Sequence, residues 1–374
     1  MFSKLRANGS CPCPTKKQAY SRSMRQIRVS DERVQIASEA ILAGLRALQV
    51  VLRHPSARVP ITKPDGSPVT AGDLAVQMAV ASVLRRRAPQ WTLVGEEGEG
   101  SVPSADGAPL LSRAVAAVRE SLGSEAPADP AEFLQDRPRA PGDTWWTVDP
   151  IDGTKGFRSG RHYALCLALV ERGEATVGVL SCPTLVIGRD PLEIGPDEQM
   201  GTVYVAAKGQ GAWKFAPGAG DRHLPTTLLR VARSARRADD APWRVCDSIE
   251  GGSRAERMRG IMGRTSLRWE SVSLDSQCKY ALVAEGAADC FMRVPGSRGA
   301  EKVWDHAPGA VVASEAGAWV GDLAGAPLRM AGEALDQNVG TLACDRSIVS
   351  DVHEAARAVL AASAPAHPRR GGSS

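Results

Sequence analysis

Apolar residues recur at spacings of three and four through Val34, Ala37, Ile41, Leu45, Leu48 and Leu52, which predicts an amphipathic helix beginning near Asp31. The turn-forming stretch Lys63-Pro-Asp-Gly-Ser-Pro-Val-Thr70 leads into a second helical pattern over residues 71–87. Residues 91–95 read as a short strand ending at Glu96-Glu97, and a helical patch at 110–122 sits inside a Gly-, Pro- and Ser-rich excursion spanning 98–142. From Thr144 the pattern changes to strands, at 145–148, 164–171, 176–181 and 202–207, with glycine-bearing turns between them, as in an antiparallel sheet. Further along, short apolar strands alternate with helical patterns at 276–285 and 305–316, as in a second, mixed α/β layer. The chain thus divides into a leader at 1–30, an α+β domain at 31–220, an α/β domain at 221–361 and a Pro/Ala/Gly-rich tail at 362–374, expected to be disordered.

Composition narrows the class. With 374 residues, 43% hydrophobic and 24% charged, the chain is long enough for a large core and lacks the bias of a disordered or fibrous protein. Its longest apolar runs, at 163–170 and 307–320, are too short and too interrupted to cross a bilayer, so no membrane segment is expected. The net charge of +4 is uneven: residues 1–30 carry seven Lys or Arg and no acid, which leaves 39 basic against 42 acidic residues in the remainder. A mildly acidic body argues against nucleic-acid binding on a folded face. The basic leader reads like an organelle transit peptide, for a plastid or mitochondrion, with a disordered cytoplasmic tail as the equal alternative. Eight scattered cysteines form no zinc-spaced cluster and read as free thiols in a reducing compartment.

The chemistry concentrates in acidic residues at element ends. Asp149-Pro-Ile-Asp-Gly-Thr154 follows a predicted strand; Pro150 fixes φ and Gly153 relaxes it, so two carboxylates can converge on one side of a tight turn. Such a pair suits magnesium, which takes oxygen ligands in octahedral geometry. Read alone, each acidic segment also has an ordinary explanation: a turn at 149–154, a helix N-cap at Asp305, a capping box at Thr70-x-x-Asp73.

Taken together, Val-Thr-Ala-Gly-Asp73, Val-Gly-Glu96-Glu97, Asp149-Pro-Ile-Asp-Gly-Thr154 and Trp304-Asp305-His-Ala-Pro-Gly309 resemble the acidic signature of the lithium-sensitive inositol monophosphatase superfamily. The longer runs Asp149-Pro-Ile-Asp-Gly-Thr-Lys-Gly-Phe157, Leu274-Asp-Ser-Gln-Cys-Lys-Tyr280 and Glu301-Lys-Val-Trp-Asp-His306 are similar to its 3'(2'),5'-bisphosphate nucleotidase branch. The resemblance covers residues 31–330 and implies the layered α/β/α/β/α sandwich shared with fructose-1,6-bisphosphatase.

It also implies two to three Mg2+ ions. Glu96, Asp149 and the Ile151 carbonyl would hold one, Asp149, Asp152 and Asp305 a second, and Asp73 with Glu96 a weaker third. Asp73 and Thr154 would activate water; Gly153 and Thr154 would bind the scissile phosphate; Ser276, Lys279 and Arg293 would hold the distal 5'-phosphate of a small-molecule bisphosphate nucleotide. One departure stands out, because the branch often has histidine where this chain has Ser253. An inositol phosphate or sugar phosphatase, and a catalytically inactive metal-binding protein, are the alternative expectations. Monomer and homodimer are equally compatible with the sequence.

Overall fold

A computed structural model describes residues 24–26, 30–98, 100, 107–134, 143–187, 189–190, 192–196, 200–233, 240–249, 251–296 and 301–363. Most of the leader, with Cys11 and Cys13, and the tail from 364 lie outside the described residues. The transit-peptide and disordered-tail readings therefore fall there as well.

In chain order the first half comprises β1 (Met24–Gln26), α1 (Glu32–Leu52), the small hairpin β2 (Ile61–Thr62) and β3 (Pro68–Val69), α2 (Ala71–Arg87), β4 (Thr92–Gly95), α3 (Ala108–Leu122), β5 (Trp145–Asp152) and α4 (Thr154–Arg158). Strands β6 (Ala164–Glu171), β7 (Glu174–Cys182), β8 (Thr202–Ala207), β9 (Gly211–Phe215) and β10 (Thr227–Val231) follow. The second half holds β11 (Trp243–Asp247), α5 (Ser253–Met262), β12 (Trp269–Ser273), α6 (Cys278–Glu285), β13 (Cys290–Arg293), α7 (Ala307–Glu315), β14 (Trp319–Gly321), β15 (Thr341–Cys344) and α8 (Val349–Ser363).

Eight strands form one sheet in the order β1-β10-β9-β8-β7-β6-β5-β4, antiparallel throughout except for the parallel β4–β5 edge. A five-stranded mixed sheet, β12-β11-β13-β15-β14, lies behind it. Two expectations are corrected here. The large sheet runs past residue 220 to Val231, and part of the leader, Met24–Gln26, pairs with β10 as its edge strand.

The period-two alternation of the central strands sorts their side chains into two cores. Val148, Leu167, Val179, Val205 and Trp213 stand opposite one another across five strands and pack with α1 to α3. The neighbouring row, Ala168, Gly178, Ala206 and Ala212, is small, and α7 lies over it. Helices α6 and α7 fill the space between the sheets, while α5 and α8 cover the outer face of the second sheet through Met258, Ile261, Met262, Val352 and Ala356. Five layers result, the expected α/β/α/β/α sandwich.

Helix α1 begins where predicted, with Asp31 accepting from the Arg33 N–H at 2.9 Å. By length and mean hydropathy it could cross a membrane, which the sequence reading did not anticipate. Fourteen of its residues are buried against α2, α3 and the large sheet, as in a core helix.

Close approach of α7 depends on Gly178, where an added Cβ would stand 2.5 Å from the Pro308 carbonyl oxygen and 2.9 Å from Val311 Cβ. Gly178→Ala is expected to cost about 1–3 kcal/mol through overpacking. Urea denaturation measures the loss, and an unchanged midpoint would refute this account of the helix–sheet contact.

Candidate active site

Strand β5 brings Asp149 and Asp152 to one face by a bulge, not by the tight turn expected. Asp149 pairs with Cys166 and Asp152 with Ala164, so three steps along β5 match two along β6. Positions three apart in a regular strand face opposite sides; the extra residue puts both carboxylates on the side of Cys166 and Ala164, facing the second core. Gly153 then takes φ +86° and starts α4, whose first residue, Thr154, donates its Oγ1 hydrogen to the Ile151 carbonyl at 3.3 Å.

The parallel neighbour β4 delivers Glu96, whose N–H bonds the Val148 carbonyl at 3.1 Å. Beside it, Glu97 is clasped by Gln77, which accepts its N–H at 3.0 Å and donates to its carbonyl. Gly95 makes room for that side chain, since a Cβ there would meet Gln77 Oε1 at 2.3 Å. Buried Lys63 places Nζ 3.0 Å from Glu97 and 3.7 Å from Glu96.

Three of the predicted ligand carboxylates are held by one oxygen each. Asp73 Oδ2 accepts from the Thr70 N–H at 2.7 Å and from the Thr70 hydroxyl at 2.6 Å. The Gln277 N–H donates to Asp152 Oδ2, and the Lys302 N–H donates to Asp305 Oδ2 at 3.1 Å. Asp305 lies in the 3-10 turn Val303–Asp305 and is not the N-cap of the helix that follows; His306 holds that place without a side-chain cap. At Asp73 the capping reading holds, because the Thr70–Asp73 box is formed.

Gln277 was not singled out from sequence, yet it ties the site together. Fully buried, it donates Nε2 to the Trp304 carbonyl at 2.8 Å and accepts the Gly309 N–H at 3.0 Å, while its backbone holds Asp152. Lys63 and Glu97 also escaped assignment. Lys63 read as turn chemistry and Glu97 as the neighbour of a ligand; only folding makes them a buried pair.

The acids press on one another. Burial, reinforced by Glu97, raises Asp73 to about 7. Burial and Glu97 raise Glu96 to about 8, and burial with Asp305 raises Asp152 to about 7. Asp149 is raised well above its ordinary range, by burial and by Glu96, Asp152 and Asp305, with Glu96 within hydrogen-bonding reach. Asp305 is raised by burial too.

Asp149 Oδ1 and Glu97 Oε2 are buried without a hydrogen-bond partner among the described residues. Oxygen donors, mutual repulsion and an orphaned acceptor fit a hard divalent cation. No three acidic, His or Cys side chains among the described residues stand ready to hold an ion as they are, so a cation would draw the carboxylates inward.

Asp152 also lines the adjoining cavity of about 440 Å3, which gathers every predicted substrate residue: Gly153, Thr154, Ser276, Lys279 and Arg293. Asp73, Glu96 and Asp149 do not line it. Ser276 is strained at φ +66°, and a Cβ on Gly153 would touch its Cβ at 2.8 Å, so the two segments meet closely. Lys279 is 6% exposed, with Nζ 5.5 Å from the Phe291 ring centre; burial first and Arg293 second depress it. His306 is structural, its Nδ1 lying 2.9 Å from the Tyr280 hydroxyl and 3.3 Å from Thr341 Oγ1.

Two sheets in this order, with helices between and outside them, define the layered sandwich class. Residues 29–367 match the Inositol monophosphatase family, and the chain belongs to that family, whose members are generally metal-dependent. A 3'(2'),5'-bisphosphate nucleotidase of Emericella nidulans is 32% identical over 361 residues, covering 89% of this chain and 99% of the relative. A 3'(2'),5'-bisphosphate nucleotidase of Schizosaccharomyces pombe is 32% identical over 83% of this chain and 89% of its own length. Among solved structures, CysQ of Bacteroides thetaiotaomicron superposes with a TM-score of 0.58 at 23% identity, covering 85% of this chain and 98% of that one. The Thermotoga maritima IMPase gives 0.57 at 18%, covering 89% and 99%. At these identities the structural likenesses carry the fold alone.

Because the raised carboxylates keep protons that the unfolded chain releases above ~pH 4, cation-free protein should lose stability as pH rises toward ~8. Thermal melts in chelator should fall across that window, and a divalent cation should restore far more at the upper end than the lower. Melting temperatures independent of pH would contradict the clustering of these acids.

Proposed function

We propose that the chain is a Mg2+-dependent phosphomonoesterase that hydrolyses the 3'-phosphate of adenosine 3',5'-bisphosphate, and of 3'-phosphoadenylyl sulfate, to leave the 5'-substituted nucleotide and phosphate. The observation that carries this reading is the shared position of Asp152, which belongs both to the acid cluster and to a cavity walled by Lys279 and Arg293. A phosphate to be cleaved and a phosphate to be gripped need these two environments side by side. The cavity's size also falls within the ~300–1,000 Å3 usual for small-molecule sites. Membership of the family and the names of the relatives support the same substrate class.

In this reading Glu96, Asp149 and the Ile151 carbonyl would hold one ion, Asp149, Asp152 and Asp305 a second, and Asp73 with Glu96 a third. Bound there, magnesium lowers the pKa of water and neutralises charge on the attacking and leaving oxygens. Asp73, fixed by Thr70, accepts the proton of the nucleophilic water, and Thr154 orients that water. Backbone N–H groups at Gly153 and Thr154 face the scissile phosphate. Ser276, Lys279 and Arg293 take the distal 5'-phosphate through charge-assisted bonds.

A phosphate-release panel across bisphosphate nucleotides, inositol phosphates and sugar phosphates, with and without Mg2+, tests the assignment. Asp149→Asn should reduce turnover by ~100-fold or more. Lys279→Ala combined with Arg293→Ala should raise KM for adenosine 3',5'-bisphosphate ~10–100-fold while sparing a 3'-monophosphate. Equal losses on both substrates would overturn the nucleotide reading in favour of another phosphomonoester.

A further inference from the structure

The cavity wall holds a charged group that the roles above leave unused. Arg254, in the first turn of α5, lines the cavity with Lys279 and Arg293. Its Nη2 forms an ion pair with Glu301 Oε1, and Arg293 Nε donates to Glu301 Oε2 at 3.1 Å. The Glu301 side chain is only 10% exposed, so one sheltered carboxylate joins the start of α5 to the end of β13. Gly296 gives Arg254 its space: an added Cβ would lie 3.0 Å from its Nε and 3.4 Å from Nη2.

Bringing two guanidinium groups together is unfavourable unless something negative lies between or before them. Glu301 is shared by Arg254 and Arg293, and the Lys279 Nζ makes no ion pair or hydrogen bond among the described residues, while Asp152, Asp275 and Lys155 share the same wall. Arg254, Arg293 and Lys279 on one wall, with a single carboxylate paired to two of them, suit a phosphate monoester, which carries about −1.5 to −2 at neutral pH. A planar fork pinned on one side by a carboxylate keeps its other N–H groups aimed, at little further loss of freedom when an anion arrives.

We propose that Arg254 is a further substrate-binding residue for the distal phosphate, and that Glu301 is the positioning residue holding Arg254 and Arg293 as a pair toward it. This rests on the bisphosphate-nucleotide reading of the cavity.

Kinetics on adenosine 3',5'-bisphosphate and adenosine 3'-monophosphate separate the two levels. The wild-type enzyme must prefer the bisphosphate; absence of preference overturns the substrate reading itself and this inference with it. Given the preference, Arg254→Ala should raise KM for the bisphosphate about tenfold, with kcat within about twofold and the 3'-monophosphate unaffected. Glu301→Gln should produce the same split and Glu301→Asp should recover part of it, with melting temperatures confirming that each variant is folded. An unchanged KM in Arg254→Ala, or an equal rise on both substrates, would reduce the Arg254–Glu301–Arg293 group to a structural ion pair.

Discussion

Repulsion among buried carboxylates is the constraint to which the rest of the molecule answers. Asp73, Glu96, Asp149, Asp152 and Asp305 come from four separated segments, and each would be more comfortable in water. Keeping them together requires a scaffold whose packing exceeds that cost. The large sheet, with cores on both faces, supplies it, and backbone N–H groups from Thr70, Gln277 and Lys302 fix three of the acids. Lys63 offsets part of the charge from the side of Glu97, leaving the Asp149 end for a cation.

The two halves of the site answer opposite electrostatic demands yet share a border a few residues wide. Asp152 belongs to the acid cluster, and the segment it touches through the Gln277 N–H, from Ser276 to Lys279, carries one of the cavity's cations. Gln277 stands between them with its backbone on the acid and its side chain on the turn carrying Asp305. A displacement of α6 would therefore disturb the acids and the anion grip together, which suits a reaction in which both must engage one molecule.

Much of this was legible in the chain. Helix α1 announced itself by period, helix α2 by the helical run after its turn, and the central strands by alternation, because long local patterns survive whatever they pack against. The edge of the large sheet did not: β10 carries a short mixed pattern, and its partner β1 lies in a basic stretch with no apolar period, so only pairing in space makes either a strand. The acidic segments and the cavity residues Ser276, Lys279 and Arg293 could be picked out because their motifs resemble a known family. Gln277, Lys63 and the Arg254–Glu301 contact could not, since a buried amide or an ion pair between distant segments leaves no mark in local sequence. Asp305 illustrates the reverse error, where a local capping rule predicted a helix start that the chain places one residue later.

The bulge in β5 makes chain length at this point as consequential as chemistry. Adding one residue to β6 between Ala164 and Cys166 would restore a regular ladder with the three-residue spacing intact and turn one carboxylate toward α1 and α2. Side-chain replacements here grade the site's performance, whereas an insertion in the facing strand divides it between two compartments.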